Sequence, residues 1–167
     1  MPVIPQQVSL HGRRVGISRH NDLILADRRG VVTQTVTSAQ VLALNATPIT
    51  IIPAPGANLA IVPNIVVIRH AGGTAYAGIA AGEDLVLKYT NGSGAQCSSV
   101  IETTGFLDQT TAQIRVARGP GSVGSTAGDF VLTANAAVVL HLLVGEITTG
   151  DFALNVWCQY DIVPTTW

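Results

Sequence analysis

Asp84-Leu85-Val86-Leu87-Lys88-Tyr89-Thr90, followed by Asn91-Gly92-Ser93-Gly94, decides the fold class. Leu85, Leu87 and Tyr89 fall on one face of an extended chain, and Asp84, Val86, Lys88 and Thr90 on the other. A period of two belongs to a β-strand with one face in a core. The Asn-Gly-Ser-Gly run supplies residues that tolerate positive φ, so this strand is expected to turn back as a hairpin.

The same signals extend in both directions. Residues 31–37 are rich in Val and Thr and read as a strand, as do residues 49–52, which end at the breaker Pro53-Ala54-Pro55-Gly56. Residues 59–69 form a long strand in which Pro63 marks an edge or a bulge, and residues 71–74 a turn. Shorter strands are expected at 100–103, 113–117 and 129–133. Residues 136–144 are apolar on both faces, which calls for a central strand covered on both sides. In residues 152–163, Phe152, Leu154, Val156, Cys158, Tyr160 and Ile162 share one face. Helical signal is confined to residues 38–44, at most two turns after a Ser38 cap. Eight to ten short strands at regular spacing predict an all-β protein, a jelly-roll-like β-sandwich.

Charge divides the chain in two. Residues 1–30 hold five of the nine basic side chains, Arg13, Arg14, Arg19, Arg28 and Arg29, against Asp22 and Asp27, a net +3. The remaining residues hold four basic and eight acidic groups, a net −4. Residues 1–30 are therefore expected to be an extended basic N-terminal arm, with Leu23-Ile24-Leu25 as an apolar anchor, and residues 31–167 the sandwich domain. Arginines interspersed with aspartates, without lysine or stacking aromatics, suit docking to protein more than to nucleic acid. The eight residues Arg13, Arg14, Arg19, Leu23, Ile24, Leu25, Arg28 and Arg29 are the expected docking set.

Composition narrows the function classes. Charged residues make up 11% of the chain, against about 25% in ordinary soluble domains. Mean hydropathy is +0.41, which implies apolar surface buried against other subunits. No apolar run approaches the roughly 20 residues of a spanning helix, so no membrane partner is expected. The N-terminus lacks the basic and apolar regions of a signal peptide. Cys97 and Cys158, 61 positions apart, are expected to be unpaired thiols.

Catalytic motifs are weak. Gly119-Pro120-Gly121-Ser122-Val123-Gly124 matches G-x-G-x-x-G, but a strand and not a helix is expected after it, so it reads as a surface loop, with residues 119–128 the most mobile. The four histidines lack metal-ligand spacing, and His141, in an apolar strand, reads as a hydrogen-bonded core or interface residue. Glu83 and Asp84 point to opposite faces of a strand and do not form a glycosidase pair. No enzyme, metal or cofactor is expected.

Ala43-Leu44-Asn45-Ala46-Thr47-Pro48-Ile49-Thr50-Ile51-Ile52-Pro53-Ala54-Pro55-Gly56 resembles small tailed-bacteriophage proteins encoded near the major capsid protein. Gly73-Thr74-Ala75-Tyr76, Asp84 to Thr90, Gly105-Phe106-Leu107-Asp108-Gln109-Thr110, Ala134-Asn135-Ala136-Ala137-Val138-Val139-Leu140 and Gly150-Asp151 extend the likeness over residues 40–163. The resemblance implies a jelly-roll cement or decoration protein on the capsid exterior, made in the host cytoplasm. It further implies a homotrimer or, second, a dimer, bound to the major capsid protein without catalysis. The alternative is a head-fibre or tail module that recognises a host glycan.

Overall fold

The computed structural model describes residues 29–119 and 131–166 with their side chains, and the backbone of three short strands nearer the N-terminus. Residues 29–119 and 131–166 build a sandwich of two antiparallel sheets. One sheet has the order β4 (Arg29–Val36), β10 (Leu154–Pro164), β6 (Leu59–Gly72), β8 (Thr111–Arg118). The other has the order β5 (Ile49–Ile52), β9 (Val138–Leu142), β7 (Leu85–Tyr89). Beyond β7 the chain turns back, and single bridges pair Lys88 with Gln96 and Leu85 with Ile101. The positive φ of this turn lies at Thr90 (66°), one residue ahead of the run expected to supply it. Residues 100–103 contribute only the Ile101 bridge, and residues 131–133 lie outside any strand.

Alternation places the core. Leu85, Leu87 and Tyr89 join Val138, Leu140 and Leu142 in the buried cluster, facing Val66, Ile68, Leu154, Val156 and Cys158 of the other sheet. The Tyr89 hydroxyl donates to the Ile61 carbonyl and so ties β7 to β6 across the core. Pro63 sits at a bulge, as expected. The register on β10 runs from Gln159↔Ile65 to Tyr160↔Pro63, leaving Asn64 as the extra residue. The helix α1 spans Ser38–Leu42, and its cap is Thr37, not Ser38. Thr37 and Gln40 form a reciprocal capping box, which requires the hydroxyl three residues before Gln40.

The expected boundary at residue 30 moves. Arg29 and Gly30 pair with Asp161 and Tyr160 and belong to β4. Within the expected arm, β1 (Val8–Leu10), β2 (Arg13–Ile17) and β3 (Leu23–Leu25) form a separate antiparallel sheet in that order. The loop expected at 119–128 lies outside the described residues beyond Gly119.

All five residues of β9 are buried, so its interior is the test of packing. Leu140→Ala removes a side chain with 0% exposure and is expected to cost about 2–5 kcal/mol, read as a lower urea midpoint.

Candidate functional site

The four-stranded sheet presents a regular outward grid. Its registers align three rows: Thr35–Asn155–Arg69–Ile114, Thr33–Trp157–Val67–Val116 and Val31–Gln159–Ile65–Arg118. The alternate residues Val36, Val66, Ile68, Leu154, Val156 and Cys158 are buried, which sends the grid to the other side. Six of the twelve grid side chains are apolar, two are arginines and none is acidic. Val31 is 57% exposed, Ile114 57% and Val116 61%. A contiguous patch of this kind marks a surface that meets something, whereas scattered exposed apolar residues do not. Neither the Arg69 nor the Arg118 guanidinium makes an ion pair or hydrogen bond among the described residues. Thr35 Oγ1 donates to Asn155 Oδ1 at 3.0 Å, leaving the Asn155 amide nitrogen as a donor beside Arg69. A shallow depression runs past Arg69, bounded by Thr33, Asn155, Trp157 and Ile114.

The edge strand β8 has its polarity inverted. Ile114 and Val116 point out, while Arg115 turns in, its guanidinium 5.2 Å from the Phe106 ring centre and donating to the Gly105 carbonyl. Alternation in residues 111–118 locates these two faces but not which of them is wet. Only the partner for Arg115 in the 105–106 turn decides it.

Residues 138–142 are covered on both sides, as their two-sided apolar pattern calls for, and the cover on the outer side comes from the same chain. Val139 and Val86, on the face of the three-stranded sheet away from the core, are 2% and 0% exposed within one chain. His141, on that same face, has Nε2 3.2 Å from the Asn45 carbonyl, and the Asn45 side-chain amide donates to Leu142 O. Gly92 lies over the His141 ring, where a Cβ would come 2.6 Å from Nε2. His141 is thus a hydrogen-bonded residue buried by its own chain.

The groups with chemical potential are engaged in holding the fold. His70, 3% exposed, stacks on Phe152 with ring centres 4.0 Å apart and lies 5.0 Å from Phe106. Its Nδ1 accepts from the Gly72 N–H at 3.2 Å, so Nε2 carries the proton and donates to the Phe106 carbonyl at 3.0 Å. The Tyr76 hydroxyl donates to the Phe152 carbonyl at 2.6 Å; burial first, then the Asp151 charge, pushes its pKa up to about 12. Asp151 accepts from both the Thr74 hydroxyl and the Thr74 N–H at 2.7 Å, which holds its carboxyl below the ordinary range. Gly150 packs flat on the Tyr76 ring, where a Cβ would come within 2.3 Å. Segments 73–76, 105–108 and 150–152 therefore converge on one junction. Among the described residues, no three His, Cys, Asp or Glu gather as a metal site.

Of the expected docking set, only Arg29 has a described side chain. It pairs with Asp161 at 3.3 Å, with both side chains well exposed. Arg13 and Arg14 lie in β2 and Leu23, Ile24 and Leu25 in β3. Val15 pairs with Leu25 and Leu10 with Arg13, so the two groups are not cross-strand partners. Arg19 and Arg28 lie outside the described residues. The grid residues were absent from the expected set, because outward apolar residues on a strand read as core until the second sheet is placed.

No protein-family model matches the chain, no curated protein is significantly similar to it, and no solved structure matches its fold.

Two predictions concern the buried titratable groups. Burial holds both His70 and His141 below their ordinary value of 6.5. The unfolded chain then binds more protons near that pH, so neutral burial stabilises above 6.5 and that contribution is lost as pH falls below it. Urea midpoints are expected to be level from about pH 8 to 7 and to drop toward pH 5, with a shallower drop in His70→Gln. Burial also raises both thiols, Cys158 to about 12. A thiol reagent at neutral pH is expected to leave the folded protein untouched and to titrate two thiols after unfolding.

Proposed function

We propose that the protein is a structural virion subunit that decorates and cements a tailed-phage capsid from outside, bridging major capsid subunits as a homotrimer. The observation that carries this reading is the acid-free outer face of the four-stranded sheet, half apolar, with Val31, Ile114 and Val116 more than half exposed on it. Strand connectivity adds support. Taken with segment 96–101, the strands alternate between sheets, β4, β5, β6, β7, then 96–101 beside β7, then β8, β9 and β10. One sheet then reads first, eighth, third, sixth, and the other second, seventh, fourth, fifth. We infer from this order a jelly roll, an architecture used by capsid and lectin domains. The stretches that carry the sequence resemblance also meet in space, at the His70–Tyr76–Asp151 junction and in the β5–β9–β7 sheet.

Such a subunit acts by burial alone. Each copy adds interface between neighbouring capsid subunits, and many symmetric copies make modest single-site affinity sufficient. The basic N-terminal segment adds contacts to carboxylates on the shell.

A second reading, a fibre or tail module for a host glycan, is favoured by the depression in which Trp157 stands beside Arg69 and Asn155. Copy number separates the two. A few hundred copies per virion, measured by gel densitometry against the major capsid protein, supports the cement, and about a dozen supports the fibre.

Co-sedimentation with undecorated capsids is the direct test. The full chain is expected to pellet with capsids. A form beginning at residue 29, which keeps β4 whole, is expected to stay folded and bind far more weakly. Replacing Arg13 and Arg14 with Ala is expected to weaken binding less, and raised salt to mimic that loss. Full-strength binding by the truncated form removes the N-terminal segment from the docking surface.

A further inference from the structure

We propose that the outward grid of the four-stranded sheet is a self-association surface, and that its occupant is the acidic loop end of the three-stranded sheet of a second copy. The inference rests on the homo-oligomer part of the reading above and is independent of capsid binding.

The grid needs an apolar partner that brings carboxylates. Its middle row carries Trp157, Val67 and Val116, with Arg69 in the row above and Arg118 in the row below and no acid in the grid to neutralise them. Both guanidinium groups are exposed in the single chain and lose water when the patch is covered, so each gains most from a carboxylate delivered by whatever covers it. Trp and Arg together are also the residues that most often carry binding energy at interfaces.

The same chain carries the complement. Leu85, the first residue of β7, pairs with Leu142 on one side and bridges to Ile101 on the other. That brings the turns holding Asp84, Glu102 and Glu146 to one end of the three-stranded sheet. Glu102 and Glu146 are exposed, and neither makes an ion pair among the described residues. Like charges crowd there: burial, and after it the neighbouring Glu102 carboxylate, raise Asp84 against the opposing hydrogen bond from the Thr103 N–H. A cation from outside relieves that crowding.

Pairing the grid with its own copy is disfavoured by the same inventory. Two grids face to face bury four guanidinium groups and no carboxylate, which leaves charges unpaired in a dry contact. Grid against acidic loops gives Arg69 and Arg118 the carboxylates of Glu102 and Glu146 to pair with.

Sedimentation of the full chain tests the proposal. Wild type is expected to associate at micromolar concentration. Ile114→Asp with Val116→Asp is expected to weaken association ~100-fold or more while circular dichroism is unchanged, since both side chains are exposed in the single chain. Arg69→Glu with Arg118→Glu is expected to weaken it ~10-fold. Adding Glu102→Arg and Glu146→Arg to that variant is expected to recover most of the loss. A readout that leaves the grid unsubstituted is Trp157 fluorescence in a Trp167→Phe background. Dilution through the association range is expected to shift the emission to the red and open it to acrylamide.

The proposal is overturned by a wild-type monomer at micromolar concentration, or by Asp variants that associate as tightly as wild type. It is also overturned by charge-swapped chains that stay as weak as the Glu variant, or by Trp157 emission indifferent to dilution. No capsid enters these measurements. Loss of capsid binding therefore leaves the contact standing, and a monomer removes the contact while leaving capsid binding open.

Discussion

The last strand holds the four-stranded sheet together. β10 is hydrogen-bonded along both edges, to β4 through eight residue pairs and to β6 through ten. Its partners come from the first and third strands of the sandwich, and the Thr35–Asn155 contact spans 120 residues. The sheet is therefore incomplete until residues 154–164 are in place. Val156 and Cys158 fill the core from the same strand that sends Trp157 outward. A topology of such long-range pairs folds slowly, because loop-closure entropy is lost before the contacts repay it. The Thr37–Gln40 capping box is a local stop that forms without waiting for β10, whereas the Pro63 bulge takes shape only when β10 pairs with β6.

The two faces of the sandwich are finished differently. Turns of the same chain cover the outer side of the three-stranded sheet, with Asn45 and Gly92 against His141. Nothing among the described residues covers the outer side of the four-stranded sheet to the same degree, and Val116 remains 61% exposed there. The inverted strand β8 makes this possible. Arg115 turns inward because Phe106 offers its ring face and Gly105 its carbonyl, and Ile114 and Val116 then have no choice but solvent or a partner.

Three turns remote in sequence depend on one another through polar contacts, those of His70 and Tyr76 buried and that of Asp151 exposed. His70 reads the Phe106 carbonyl, Tyr76 the Phe152 carbonyl, and Asp151 both polar groups of Thr74. Buried donors and acceptors left unpaired are costly, so the His70 and Tyr76 contacts specify the position of the next turn as well as stabilising it. These residues have the chemistry of an active site and the geometry of a joint.

The alternation of residues 85–89, the two-sided apolar run in β9 and the β-branched run in β4 determined the all-β class, the central place of β9 and the core face of β7. Those are local properties: a period of two and the absence of polar side chains need no knowledge of the rest of the chain. Pro63 announced its bulge because proline cannot donate to a ladder. The outward grid was not legible. Whether Ile114 and Val116 or Gln113 and Arg115 face the core depends on a turn at residues 105–106 that no periodicity places beneath β8. The covering of β9 by Asn45 and Gly92 and the junction around His70 were hidden for the same reason. Each joins segments tens of residues apart, and only the packing of two sheets decides which faces are left to meet a partner.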